Sequence, residues 1–261
     1  MKHGVRIAML FLGMALPAPV TADVLVDDME GQRTNQAHSG GYWFIVLDAK
    51  SHAEANSQLL VPSSYNFRFH SPGYHSEHCA AVAAVLGAGY RYPFVGMGMN
   101  LSRVKEWYDF TRVSAVEFMA RGRGVFKLKL RDHWSLYNGS TEDRNQEYSH
   151  EFRVDDIWRR YVLPIDRFTV SDQSTIRKAG LGWEDVGDSI QTFIFVSSSY
   201  QSRDAGMRIE LQVDNIVIRG LDTVGTATGG APAAEPRSMR TVAEIGSETD
   251  EALETSLDEY Q

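Results

Sequence analysis

LQVDNIVIRG, residues 211–220, decides how the rest of the chain is read. Leu211 and Val213 alternate with polar neighbours, Asp214 and Asn215 interrupt, and Ile216 and Ile218 resume the pattern. Period-two alternation with β-branched residues specifies a strand with one face on a core. Gly220 ends it just before a segment with almost no apolar residues, which makes it the last strand of a domain. Asp214 then needs a reason, because a carboxylate on a half-buried strand must be solvated, paired or bound to a cation. A second β-like run ending in acids, VLVDDMEG, stands at 24–31. The two strands are expected to lie together and close the fold, with Glu30 and Asp214 sharing a cation.

Working inward, VSAVEFMA at 113–120 directs Val116 and Phe118 to the core, and Arg121-Gly122-Arg123-Gly124 reads as a turn. Phe126, Leu128 and Leu130 then face inward, which sends Lys127, Lys129 and Arg131 to the other face. YWFIVLD at 42–48 is a strand introduced by Gly40-Gly41, and HCAAVAAVL at 78–86 is a core strand. The glycines of VGMGM, 95–99, break the next section. Strands follow at 148–154, at 158–165 with Trp158 inward, and at 190–196. With 261 residues, 43% hydrophobic, the chain suffices for one sizeable core. About ten short strands, without sustained helical period or internal repeat, make an all-β jelly-roll sandwich of two antiparallel sheets the economical fold.

The ends differ from this body. Residues 1–22 combine the basic MKHGVR, the apolar IAMLFLGMAL and a small-residue cleavage site at Val20-Thr21-Ala22. That is a signal peptide, too short for a stable membrane span, and it implies export to the periplasm or the extracellular space. The folded domain is expected over 23–221. From 222 to 261 the composition turns to Gly, Ala and Pro and then to acids, which reads as a disordered linker and tail. Residues 231–261 hold a net −6 of the chain's −8. Neither nucleic acid nor an anionic membrane suits an acidic domain with an acidic tail. Cys79 is the only cysteine, so no internal disulfide exists, and its apolar setting reads as a buried structural thiol.

Five motifs in order carry a resemblance: LVDDMEG at 25–31, Gly-Tyr-Trp at 41–43, SAVEFMARGRGVFKLKL at 114–130, DDIWRRYVLPIDRF at 155–168 and QVDNIVIRG at 212–220. Over residues 24–220 the chain resembles the family 11 carbohydrate-binding modules and the related domain of the complex I intermediate-associated protein 30. The resemblance implies a galactose-binding-like jelly roll, a concave sheet face that holds a β-glucan polysaccharide, a structural calcium ion at the edge, and binding without cleavage. Glu30 and Asp214 match the family's calcium-binding carboxylates, and Asp48 sits near the place of the next ligand. Tyr90, with Tyr92 close by, matches the family's tyrosine in a Gly-Tyr pair. Arg131, Trp134 with Tyr137, Tyr148 and Trp183 complete the expected sugar platform. The family's Arg and Asp-Tyr have no counterpart in TVSDQSTIRKAGLGW, 169–183.

Catalysis finds little support in the residues. His70, His75, His78 and Cys79 form an H-x4-H-x2-HC run with the flavour of a metal site, but its flanks are loop-like and no HExxH helix accompanies it. The acid pairs Asp27-Asp28 and Asp155-Asp156 are adjacent, so on strands they point to opposite faces and cannot flank one glycosidic bond. No G-x-S-x-G occurs. The expectation is a monomeric, non-catalytic polysaccharide-binding module. The alternative is a cell-envelope interaction or assembly domain that grips a protein partner, its acidic tail adding contacts.

Overall fold

The computed structural model describes residues 22–31, 35–48, 57–61, 66–103, 107–138, 147–171, 174–198 and 200–221. The expected leader, apart from Ala22, the linker and acidic tail from 222, and the Tyr137 side chain lie outside them. Among the described residues ten strands run in order: β1 (Ala22–Asp27), β2 (Trp43–Leu47), β3 (Gln58–Val61), β4 (Ala80–Val85), β5 (Val95–Asn100), β6 (Ala115–Asp132), β7 (Tyr148–Val154), β8 (Arg159–Pro164), β9 (Ile190–Ser197) and β10 (Arg208–Leu221). Short α-helices, α1 (His133–Asn138), α2 (Thr175–Lys178) and α3 (Trp183–Val186), sit in the described connections. Among the described residues no helix is long and apolar enough to cross a membrane.

All pairings are antiparallel, and they form a jelly-roll sandwich. A back sheet runs β3-β4-β10-β6-β8, with β1 on the C-terminal half of β10; a front sheet runs β2-β5-β9-β6-β7. β1 and β10 do lie together, Asp27 opposite Ile216. Between the sheets the fully buried rings of Trp43, Phe118, Phe126, Phe193 and Phe195 pack with the aliphatic residues of β4, β6 and β10. Phe118 meets Phe195 edge-on at 5.2 Å and Trp43 stacks on Phe195 at 6.3 Å.

Three sequence expectations are corrected. RGRG, 121–124, is no turn: β6 continues through it for 18 residues and passes from the back sheet to the front. Gly122 and Gly124 take φ of 146° and 129°, and a Cβ at Gly122 would stand 2.0 Å from the Glu210 carbonyl oxygen. The glycines therefore bend a strand where another backbone approaches closely, a use that looks like a turn in sequence. VGMGM is likewise a strand, β5, with Val95, Met97 and Met99 fully buried. Trp158 lies in the turn before β8, half-buried, with the Arg121 guanidinium 4.9 Å above its ring and Tyr74 at 5.9 Å. Cys79 is fully buried as expected, and burial with the charge of Asp214 pushes its thiol up to about 12, so it is no nucleophile.

Candidate functional site

Along β9, alternation puts Phe193 and Phe195 in the core and Thr192, Ile194 and Val196 on the outer face of the front sheet. Those three outward side chains belong to residues only 3%, 4% and 8% exposed, so the outer face is recessed along its middle strand. The registers lay rungs across this trough from β2 to β7. One is Phe44, Gly98, Ile194, Lys129, Ser149; the next is Val46, Gly96, Val196, Lys127, Glu151; Asn100, Thr192 and Arg131 form a third. Glycine keeps the β5 floor low: a Cβ at Gly98 would stand 2.3 Å from the Phe44 ring, so that ring lies over the glycine.

The β6 side of the trough is charged. Lys129 and Arg131 each reach Glu147 at 3.2 Å. Burial alone raises the Glu147 carboxyl, but the two cations outweigh it and hold the group below the usual carboxylate range. Asn100 Oδ1 accepts a hydrogen bond from the Thr192 hydroxyl at 2.8 Å. An apolar strip and a polar, charged edge thus run side by side. That pairing suits a ligand with C–H faces and a hydroxyl-bearing rim.

Of the expected sugar contacts, Arg131 stands on this face. Trp134 is the second residue of α1, just after β6, and packs half-buried against the core. Tyr148 is a correction: it pairs with Leu130 and shares its inward side, 6% exposed, with its ring edge-on to Trp183 at 5.2 Å. Trp183 begins α3, partly buried, its ring close against Gly187. Tyr148 and Trp183 therefore wall the core at the Arg131 end. Tyr90 and Tyr92 lie in the loop that enters β5 at Val95, at the other end of the trough, about 13 Å along the strands. Tyr92 is 44% exposed with the Arg91 guanidinium 5.1 Å over its ring, and Tyr90 meets Phe94 edge-on at 6.3 Å. Phe44, Ile194, Val196 and the two β5 glycines were missed. Their signal was the alternation itself, since the outward positions Phe44 and Val46 of WFIVL and Ile194 and Val196 of IQTFIFVS are also apolar.

The structure brings Glu30 and Asp214 into one neighbourhood at the end of β1, beneath the loop before β4. Asp214 is fully buried; its Oδ2 accepts from the Tyr74 amide and the Ser76 hydroxyl, both at 2.7 Å, and its Oδ1 from the Asn215 amide at 2.7 Å. Burial chiefly raises its pKa, those bonds opposing and the charge of Glu30 adding to the rise. Glu30 Oε1 accepts from the His78 amide at 2.8 Å.

Asp48 is not there. The first residue of β2, Trp43, donates from Nε1 to Asp27 at 2.6 Å, whereas Asp48 follows its last, five residues and about 16 Å further on. Asp48 instead accepts from the Ser57 amide (3.1 Å), the Ser57 hydroxyl (2.8 Å) and the Phe94 amide (3.2 Å), latching two loops. A calcium ion shared by Glu30, Asp48 and Asp214 therefore does not fit. What does converge on Glu30 is Glu77 and His78: one ligand atom from each of the three lies within 4.8 Å of the others. His70, His75 and Cys79 do not join that group among the described residues.

No protein-family model matches the chain, and no curated protein matches it. Among solved structures it is similar to the family 11 carbohydrate-binding module of the cellulosomal cellulase Lic26A-Cel5E of Clostridium thermocellum. Identity is 14% over 77% of this chain and 96% of that one, with a TM-score of 0.49. It is similar also to a family 11 module from Clostridium thermocellum in complex with a β-1,3-1,4-mixed-linked tetrasaccharide, at 14% identity over 77% and 98% and a TM-score of 0.47. A family 30 carbohydrate-binding module aligns at 13% identity over 83% and 95%, with a TM-score of 0.46. Families 11 and 30 of the carbohydrate-binding modules are thus among the solved structures that this chain is similar to.

Proposed function

We propose that this protein is an exported, non-catalytic carbohydrate-binding module that takes a β-glucan-type chain across the recessed outer face of the front sheet. The observation that carries this reading is the set of buried yet outward-facing residues on β9, flanked by the Phe44 strip and by Lys129, Arg131 and Asn100. Phe44, Ile194 and Val196 offer a surface to the C–H faces of successive sugars. Arg131, Lys129, Glu147 and Asn100 meet the hydroxyls, the three charged groups fixed in place by one another and Asn100 by Thr192 before the ligand arrives. Tyr92, exposed at the far end of the trough, extends the platform.

The test is affinity electrophoresis of the chain through gels holding β-1,4-glucan, mixed-linkage glucan, xylan or mannan. Retardation by a glucan is expected, abolished by Phe44→Ala or Arg131→Ala in folded protein. Tyr148→Ala and Trp183→Ala should act through stability instead, because both rings sit against the core. Unchanged mobility of folded wild-type protein in every gel would refute the sugar reading and point to a protein partner in the cell envelope.

A further inference from the structure

We infer that the chain taken by the trough is acidic: a β-linked glucan with uronic acid units among its neutral ones, whose carboxylates are read by the ammonium of Lys127. The inference rests on the trough being a glycan site and adds the charge of what that site takes. Lys127 faces outward on β6, half-buried, in the rung Val46, Gly96, Val196, Lys127, Glu151. On one side its neighbour is the apolar floor, Val196 at 8% exposed and then a glycine. On the other, register offers it Glu151. That carboxylate stands exposed on β7 and accepts instead from the Ser198 hydroxyl. Lys127 therefore makes no hydrogen bond or ion pair among the described residues, whereas Glu147 answers Arg131 two positions further along the same face.

Other cations on this face also keep donors to spare. Arg131 directs Nε and Nη2 to a single Glu147 oxygen, at 3.3 and 3.2 Å, and Nη1 has no partner among the described residues. Arg153, outward and exposed on β7, follows Glu151 by two positions. A chain of net charge −8 thus collects cations on its recessed sheet face. The consequence for a ligand follows from solvation. A sugar chain laid over the floor strips water from the Lys127 ammonium, and hydroxyls replace that water without neutralising the charge. A carboxylate on the same chain supplies the missing countercharge and draws the ligand in from a distance. A glucose unit differs from its uronic acid only at C6, so one backbone geometry serves both.

Calorimetric titration of the full chain tests this with two probes: a short soluble β-1,4-glucan, and the same glucan with part of its C6 hydroxymethyl groups oxidised to carboxylates. In low salt the oxidised chain should bind at least about tenfold more tightly. That advantage should shrink strongly in about 1 M salt. Lys127→Gln should cut the ratio of the two affinities at least about fivefold, and Lys127→Arg should keep most of it. Polyacrylate, which has the charge without the sugar, should not match the oxidised glucan. Equal affinity for both glucans would overturn the inference and leave the sugar reading standing, whereas binding of neither by folded protein would remove both. An advantage that survives Lys127→Gln in folded protein, or polyacrylate binding as tight as that of the oxidised glucan, would also overturn it.

Discussion

Asp27, Asp132 and Asp214 are buried carboxylates held by hydrogen bonds, without ion pairs among the described residues, and each is raised above the usual carboxylate range, chiefly by burial. Asp132 is the cleanest to test. Its Oδ1 accepts from the Ser135 amide and its Oδ2 from the Ser135 hydroxyl, both at 2.7 Å. Asp132→Asn keeps both bonds, with the hydroxyl turning from donor to acceptor, and removes the titration. Because the native state holds this proton to higher pH than the unfolded chain, the group's contribution is present below pH about 4 and is lost as pH rises toward the native pKa. The Tm of wild type should therefore fall relative to Asp132→Asn between pH about 4 and neutrality. Parallel curves would contradict the assignment. Asp27→Ala should cost about 3 kcal/mol in urea unfolding, since it leaves the Trp43 indole and the Met29 and His38 amides without their acceptor. Sequence showed that Asp214 needs partners; it did not show that the Tyr74 amide and the Ser76 hydroxyl are two of them, because those come from a loop 140 and 138 residues away.

β5 and β6 carry the predictions about elements. Gly122→Ala places a Cβ on the Glu210 carbonyl at a positive φ, so it should destabilise by about 2 kcal/mol or more. On β5 the two glycines should differ. A Cβ at Gly96 meets the Phe195 carbonyl at 2.3 Å and the Val196 Cα at 2.8 Å, atoms that cannot yield. The three atoms nearest to a Cβ at Gly98 all belong to the Phe44 ring, which can swing outward. Gly96→Ala should therefore lower stability by about 1–3 kcal/mol. Gly98→Ala should leave stability nearly unchanged and weaken retardation in glucan gels, because the displaced ring fills the trough. Equal losses of stability in both variants would refute this reading of the floor. Glycine in a strand and glycine in a turn are alike in one dimension, which is why RGRG and VGMGM both read as breaks in the sequence.

For the whole molecule, β6 crosses from one sheet to the other and β10 is shared by β1, β4 and β6, so neither sheet can lose its order alone. Thermal unfolding followed by far-UV circular dichroism and by tryptophan fluorescence should give one midpoint, and separated midpoints would show that the sheets open independently. The sequence by itself determined the all-β class, the inward sets Val116, Phe118, Phe126, Leu128 and Leu130, the buried thiol and the pairing of the chain's first and last strands. Those are consequences of period-two alternation and of hydrophobicity, which are local. The tertiary structure alone decided that Tyr148 faces the core, that Asp48 lies a strand's length from Trp43, the residue bonded to Asp27, and that Glu77 and His78 meet Glu30. It also decided that outward residues of β9 are sheltered. Each depends on which strands are neighbours and in what register, and register is set by contacts between segments far apart in the chain.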